Sequence, residues 1–187
     1  MARTKSVPDE AVLDRLMAVV TKAGPDGLTF ARAAKAAGLS AATLVQRYGN
    51  SQSMLEAVLL RAWDKLDAAT RAADEDAQPG PQGAIDLLMA LMPSDAAEYN
   101  ATDGLLLLRE DIRNPVLRAR GAAWGVYLAG ALGRRLSSDA EKAERLGWQM
   151  ASIWQGAHIW WAFTRCEPAE TAIRRALTEW LEAAIPS

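Results

Sequence analysis

Leu28-Thr29-Phe30-Ala31-Arg32-Ala33-Ala34-Lys35-Ala36-Ala37-Gly38-Leu39-Ser40-Ala41-Ala42-Thr43-Leu44-Val45-Gln46-Arg47-Tyr48 is the stretch on which the reading of this chain turns. Its spacing predicts a short helix from about Thr29 to Ala37 and another from about Ala41 to Tyr48, interrupted at Gly38-Leu39-Ser40. Two short helices joined by a glycine-containing turn make a helix-turn-helix unit. Ala34 and Ala37 are small enough for the two helices to approach closely, and Gly38 accepts the backbone angles of a helix stop. Leu39 and Leu44 are placed to pin the turn to a core. Ser40 suits an N-cap, and the amides of a helix N-terminus face phosphate readily. The second helix ends in Gln46-Arg47, side chains that reach bases or backbone.

Helices are predicted on both sides. Val12, Leu16, Val19 and Ala23 recur at helical spacing behind a start near Ser6–Asp9, where Ser6 and Asp9 resemble a capping box and Pro8 suits a first turn. Gly24-Pro25-Asp26-Gly27 ends that helix. Met54, Leu55, Val58, Leu59, Ala62 and Leu66 line one face of a long helix from about Gln52 to Ala73, and Asp74–Gly83 reads as a linker. Helical patterns resume at about Ala84–Leu91, Asp103–Ile112, Pro115–Leu136, Ala140–Arg165 and Pro168–Ala184. No strand pattern or internal repeat is present. Half of the residues are hydrophobic, mostly Ala and Leu, so the chain reads as all-α with about nine helices.

The net charge is −2, but residues 1–65 hold nine basic and six acidic side chains. A basic front on an acidic remainder points weakly to a polyanionic partner. Cys166 is the only cysteine, so no intrachain disulfide is possible, which suits a reducing compartment. Met1–Glu10 is polar, and the longest aliphatic run is Leu105–Leu108. A cytoplasmic protein without a membrane span is therefore expected.

Residues 9–60 resemble the TetR family of transcriptional regulators. Thr29 at the opening of the second helix, Ala36-Ala37-Gly38-Leu39-Ser40, Thr43-Leu44 and Tyr48 fall where that family has equivalent residues. So do the preceding helix and Met54-Leu55-Glu56-Ala57-Val58 after it. The other two-thirds is similar only in helical layout and length. Val45 stands where the family often has Tyr, and Ser51 where it often has Lys. Both of those family residues usually touch DNA phosphates, and Arg47 and Lys35 are the candidates to compensate.

The resemblance implies a DNA-binding domain over 1–50 and a ligand-binding and dimerisation domain over 51–187. It makes Thr29, Thr43 and Tyr48 candidates for phosphate contact or its support, and places Ala41, Ala42, Gln46 and Arg47 on the groove-facing surface. Lys35 and Ser40 complete the candidate DNA-binding set. It also implies that the last two helices pair with their copies in a homodimer, where Gly147, Ala151, Gly156 and Ala157 would allow close approach.

Seven tryptophans are present, six of them beyond residue 120. Such residues serve cores, pockets and interfaces alike. By the resemblance, Trp124 and Tyr127 lie on a helix that lines a ligand cavity, with Leu105, Leu108 and Trp160 closing the same space. That lining suits a small hydrophobic or aromatic effector. His158, the only histidine, reads as an interface or pocket hydrogen-bonding group, and Cys166 as structural or incidental.

The expected function is a transcriptional regulator, a repressor, whose binding to double-stranded operator DNA is switched by a small-molecule effector. The alternative is a helical homodimer that binds ligand or protein but has lost specific DNA binding. One histidine, one cysteine, no phosphate-cradling glycine loop and no metal-ligand cluster argue against an enzyme, so no catalytic residue, metal or cofactor is expected.

Overall fold

A computed structural model describes residues 7–92 and 103–185. Among them the chain forms nine α-helices and no strand: α1 (Asp9–Ala23), α2 (Phe30–Ala37), α3 (Ala41–Tyr48), α4 (Ser51–Asp76), α5 (Pro81–Ala90), α6 (Asp103–Arg113), α7 (Pro115–Leu136), α8 (Ala140–Thr164) and α9 (Ala169–Ala184). A 3-10 turn, Pro25–Gly27, joins α1 to α2. The helices divide into two compact units, Met1–Lys65 with Leu106–Arg120, and Leu66–Leu105 with Gly121–Ser187.

In the first unit, Val12, Leu16 and Val20 recur every four residues along α1 and are buried. They meet Ala33 and Ala37 of α2, Leu44 of α3, Met54 and Val58 of α4, and Leu117 of α7 in one core. Arg15 fixes the geometry by donating from Nη1 to the carbonyl of Ala37, 2.8 Å away. That carbonyl belongs to the last turn of α2, where helix carbonyls lack intrahelical partners and the dipole favours a cation. Trp63 on α4 donates to Asp111 of α6 over 3.0 Å, while burial pushes the Asp111 carboxyl above its ordinary pKa.

Two expectations need correction here. Ser6, half of the capping box expected for α1, lies outside the described residues. The helix instead begins behind Pro8 with no side-chain cap, its first backbone bond running from Val12 N–H to Pro8 carbonyl at 3.2 Å. The long α4 also passes its expected end at Ala73 and reaches Asp76, shortening the presumed linker.

The reason for the longer α4 is Arg135 of α7. Its guanidinium donates to the carbonyls of Asp74 (2.6 Å), Ala77 (3.0 Å) and Gln78 (3.1 Å), and to Asp74 Oδ1 at 2.6 Å. It thereby satisfies carbonyls at a helix end that would otherwise need water. Both side chains are nearly buried, at 10% and 12% exposure. Burial alone raises the Asp74 pKa, but the hydrogen bonds from Arg135 and Tyr127 and the charges of Arg134 and Arg135 outweigh it. The carboxyl is held below its ordinary value.

The second unit is built on Leu87 and Leu88 of α5, Leu132 of α7, Met150 of α8, and Ile173 and Leu177 of α9, all buried. Here α7 and α8 meet backbone to backbone. A Cβ built on Gly147 would overlap the carbonyl oxygen of Ala129. Gly147, expected to let a partner chain approach, is therefore used within the chain.

Candidate nucleic-acid interface

The turn between α2 and α3 is set by local chemistry. Thr29 caps α2, its hydroxyl accepting from the Arg32 amide at 3.3 Å. Gly38 sits at φ 68°, ψ 33° in the left-handed region. The amides of Gly38 and Leu39 both donate to the Ala34 carbonyl, at 3.0 and 3.1 Å, closing the end of α2. Ser40 caps α3, its hydroxyl accepting from the Thr43 amide at 3.0 Å. The two hydroxyls of Ser40 and Thr43 are 2.8 Å apart and hydrogen-bonded.

The eight residues of α3 sort by face. Leu44 is buried in the core of its unit. Arg47 and Tyr48 turn toward the start of α1. Arg47 donates from Nη2 to the Val7 carbonyl at 3.3 Å, and its Nη1 lies 3.5 Å from Asp9 Oδ1. Tyr48 donates its phenol to the same Asp9 oxygen at 2.7 Å. Burial, reinforced by the Asp9 hydrogen bond, pushes the Tyr48 phenol up to about 12, so it remains a donor at neutral pH. Ala41, Ala42, Val45 and Gln46 are exposed. Their spacing of i, i+1, i+4 and i+5 puts them on one open face. Thr29, Lys35 and Ser40 are exposed as well, and Thr43 is half-buried.

This arrangement has structural counterparts. A transcriptional regulator from Rhodococcus sp. Rha1 superposes with a TM-score of 0.76 at 18% identity, covering 95% of this chain and 97% of its own. A TetR transcriptional regulator from Legionella pneumophila gives 0.67 at 17% identity, with 95% and 99% covered. The TetR-family repressor QsdR from R. erythropolis gives 0.51 at 17% identity, with 95% and 96% covered. The fold is that of the TetR family. No family model and no curated protein matches the chain.

Within this TetR fold, the structure brings the nine candidate DNA-binding residues onto α2, α3 and their caps. It gives them different tasks. Arg47, expected at the groove, is directed to Val7 and Asp9 in the single chain, where the Asp9 carboxylate and the Val7 carbonyl lie within its reach. Asp9 as an anchor of α3 and Arg15 as the clamp on α2 have no signal at helical spacing. Val45, a departure from the family pattern, shares the face of Ala41 through its i+4 relation.

The five candidate ligand residues differ in their own surroundings. Trp124 donates its indole N–H to Thr70 Oγ1 at 2.9 Å, and the Thr70 hydroxyl in turn donates a hydrogen bond to the Leu66 carbonyl at 2.7 Å. Tyr127 donates to Asp74 Oδ2 at 2.9 Å, with the Arg71 guanidinium 4.7 Å over its ring. Leu105 and Leu108 are exposed on α6. Trp160 is 69% exposed on α8, its ring 6.0 Å from that of Phe163. Of the concave surfaces, one runs along Glu170–Glu182 on α9 and another lies beside Asp74, Pro79 and Arg134, and none of the five lines either. Among the described residues no helix is long and apolar enough to cross a membrane, and no cluster of His, Cys, Asp or Glu suits a metal ion.

Proposed function

We propose that the chain is a homodimeric, DNA-binding transcriptional repressor, switched by a small hydrophobic or aromatic effector. The observation that carries the DNA-binding part is the open face of α3 in a unit of marked positive charge. The unit holding α3 has thirteen basic against eight acidic residues, whereas the other has eight against fifteen. This segregation is steeper than the front-to-back asymmetry of the sequence, because Arg109, Arg113, Arg118 and Arg120 belong with the first unit. Duplex DNA attracts such a surface through its phosphates. In this reading Ala41, Ala42 and Gln46 face the groove. Thr29, Lys35, Ser40 and Thr43 serve the phosphates, and Arg47 and Tyr48 hold α3 to α1.

A gel-shift titration of the full chain against DNA upstream of its own gene tests the proposal, repeated between 50 and 200 mM salt (about the range over which phosphate contacts weaken measurably). Binding that weakens with salt is expected, with Lys35→Ala reducing the salt slope by about one. No shift at micromolar protein and low salt would favour the alternative, a helical homodimer without specific DNA binding.

The effector part rests on Trp124 and Tyr127, aromatic side chains held side by side along α7 against α4 by their polar ends. Neutral aromatic compounds should quench or shift tryptophan emission over the same concentration range in which they alter operator binding. If only highly charged compounds altered DNA binding, the effector class would be wrong.

A further inference from the structure

We infer that α3 specifies A·T base pairs: Gln46 reads an adenine, and Val45 with Ala42 packs against thymine methyl groups. The inference deepens the DNA-binding reading and rests on it. It follows from what remains for reading after the helix has been fixed in place. Thr43 is hydrogen-bonded to Ser40, Arg47 is directed to Val7 and Asp9, Tyr48 donates to Asp9, and Leu44 is buried. The open face is then Ala41, Ala42, Val45 and Gln46, which offers one hydrogen-bonding side chain and no cation.

Each major-groove pair asks for a different side chain. Guanine presents two acceptors and is read by Arg or Lys; cytosine presents a donor and is read by Asp or Glu. Neither type stands on this face. Adenine presents an acceptor beside a donor, which the Gln carboxamide matches bidentately, and thymine presents a methyl group that calls for an apolar side chain. Val45 is 45% exposed with no role in the core, so docking against a methyl removes apolar surface of both from water. Because thymine is the partner of adenine, the two kinds of side chain select the same or neighbouring pairs. The face from Ala41 to Gln46 spans five helical steps, about 7.5 Å at 1.5 Å each. Bases are stacked roughly 3.4 Å apart, so the readable window is two to three pairs.

The test begins with selection of binding sites from a random duplex library by the full chain. An A·T core of two to three pairs in each half-site is expected. Thymines in that core are then replaced by uracil, which removes the 5-methyl and leaves pairing intact. Each contacted methyl should be worth about four-fold in affinity, the value of one buried methylene. In Val45→Ala that penalty should disappear at one position, the variant binding thymine and uracil sites alike. Gln46→Ala should lose discrimination at one adenine, about five-fold or more. Both side chains lie outside the core, so neither substitution threatens folding. A selected G·C core, or uracil penalties that persist unchanged in Val45→Ala, overturns the inference while leaving DNA binding intact. A library from which nothing is enriched overturns the DNA-binding reading itself.

Discussion

Tyr48, the last residue of α3, donates its phenolic proton to Asp9, the first residue of α1, over 2.7 Å. The bond joins the end of the proposed reading helix to the entry of the chain into its core. Tyr48→Phe should therefore cost about 1 kcal/mol, the net worth of one partly exposed hydrogen bond, and weaken operator binding by loosening α3. Its pH signature is specific. A phenol whose folded pKa is raised contributes stability that is complete below the unfolded value and lost as pH climbs through the folded one. Wild-type stability should decline between about pH 10 and about 12. Urea denaturation at pH 9 and pH 11 reads the decline, and Tyr48→Phe should flatten it. An equal slope in both proteins would mean that folding does not raise the Tyr48 phenol.

Arg135 and Asp74 invite the opposite pH experiment. Arg135→Met strips a nearly buried carboxylate of one partner, leaving it Arg134 and Tyr127, and frees the carbonyls at the end of α4, and should cost about 1–3 kcal/mol. The folded Asp74 pKa is lowered. Its stabilisation is thus present above the ordinary carboxylate pKa of about 4 and lost as pH falls through the folded value. Asp74→Asn should show a shallower acid limb than wild type in thermal melts between pH 5 and 2. A steeper limb would reverse the sign of the shift.

How much of this was legible in the sequence depends on the distance over which each feature is decided. The ends of α2 and the start of α3 were readable because Thr29, Gly38 and Ser40 act on amides and carbonyls within five residues. The end of α4 was not, because Arg135 holds it from 61 positions away. Arg47 was expected in a groove because only its helix position was visible. The contacts it makes within the chain, to Val7 and Asp9, reach about forty residues upstream. The aromatic residues of the second unit were harder still, since a Trp at helical spacing looks the same whether its N–H meets Thr70 or a ligand.

Gly147 carries a third prediction. Small residues on a long helix suit an internal contact and an intermolecular one equally well from sequence, and the structure shows the former for this glycine. Gly147→Ala pushes a methyl into the backbone of Ala129, which has no side-chain freedom to yield. The cost expected of such overpacking is about 1–3 kcal/mol. Gly130→Ala is the control, since a Cβ there meets only the Arg134 guanidinium, at an ordinary 3.7 Å. It should be neutral or slightly stabilising, as helix propensity favours Ala. Melting both variants decides the point, and equal melting temperatures would contradict the close crossing of α7 and α8.

The final prediction concerns the partner surface of α8. Trp148, Ile159, Trp160 and Phe163 are 42%, 45%, 69% and 78% exposed in the single chain. Trp148, Ser152, Gly156, Ile159 and Phe163 follow one another at helical spacing, so large apolar groups flank a notch of small ones along one face. A second copy related by a two-fold axis would place its large groups in this notch, as a self-complementary interface requires. Ile159→Glu with Phe163→Glu should convert the dimer to monomer by light scattering while leaving the helical circular dichroism unchanged, since neither residue belongs to the core. The same variant should lose high-affinity binding to paired half-sites but keep weak binding to one. A monomeric wild type at micromolar concentration would remove the homodimer. A variant that stays dimeric would move the interface to another face.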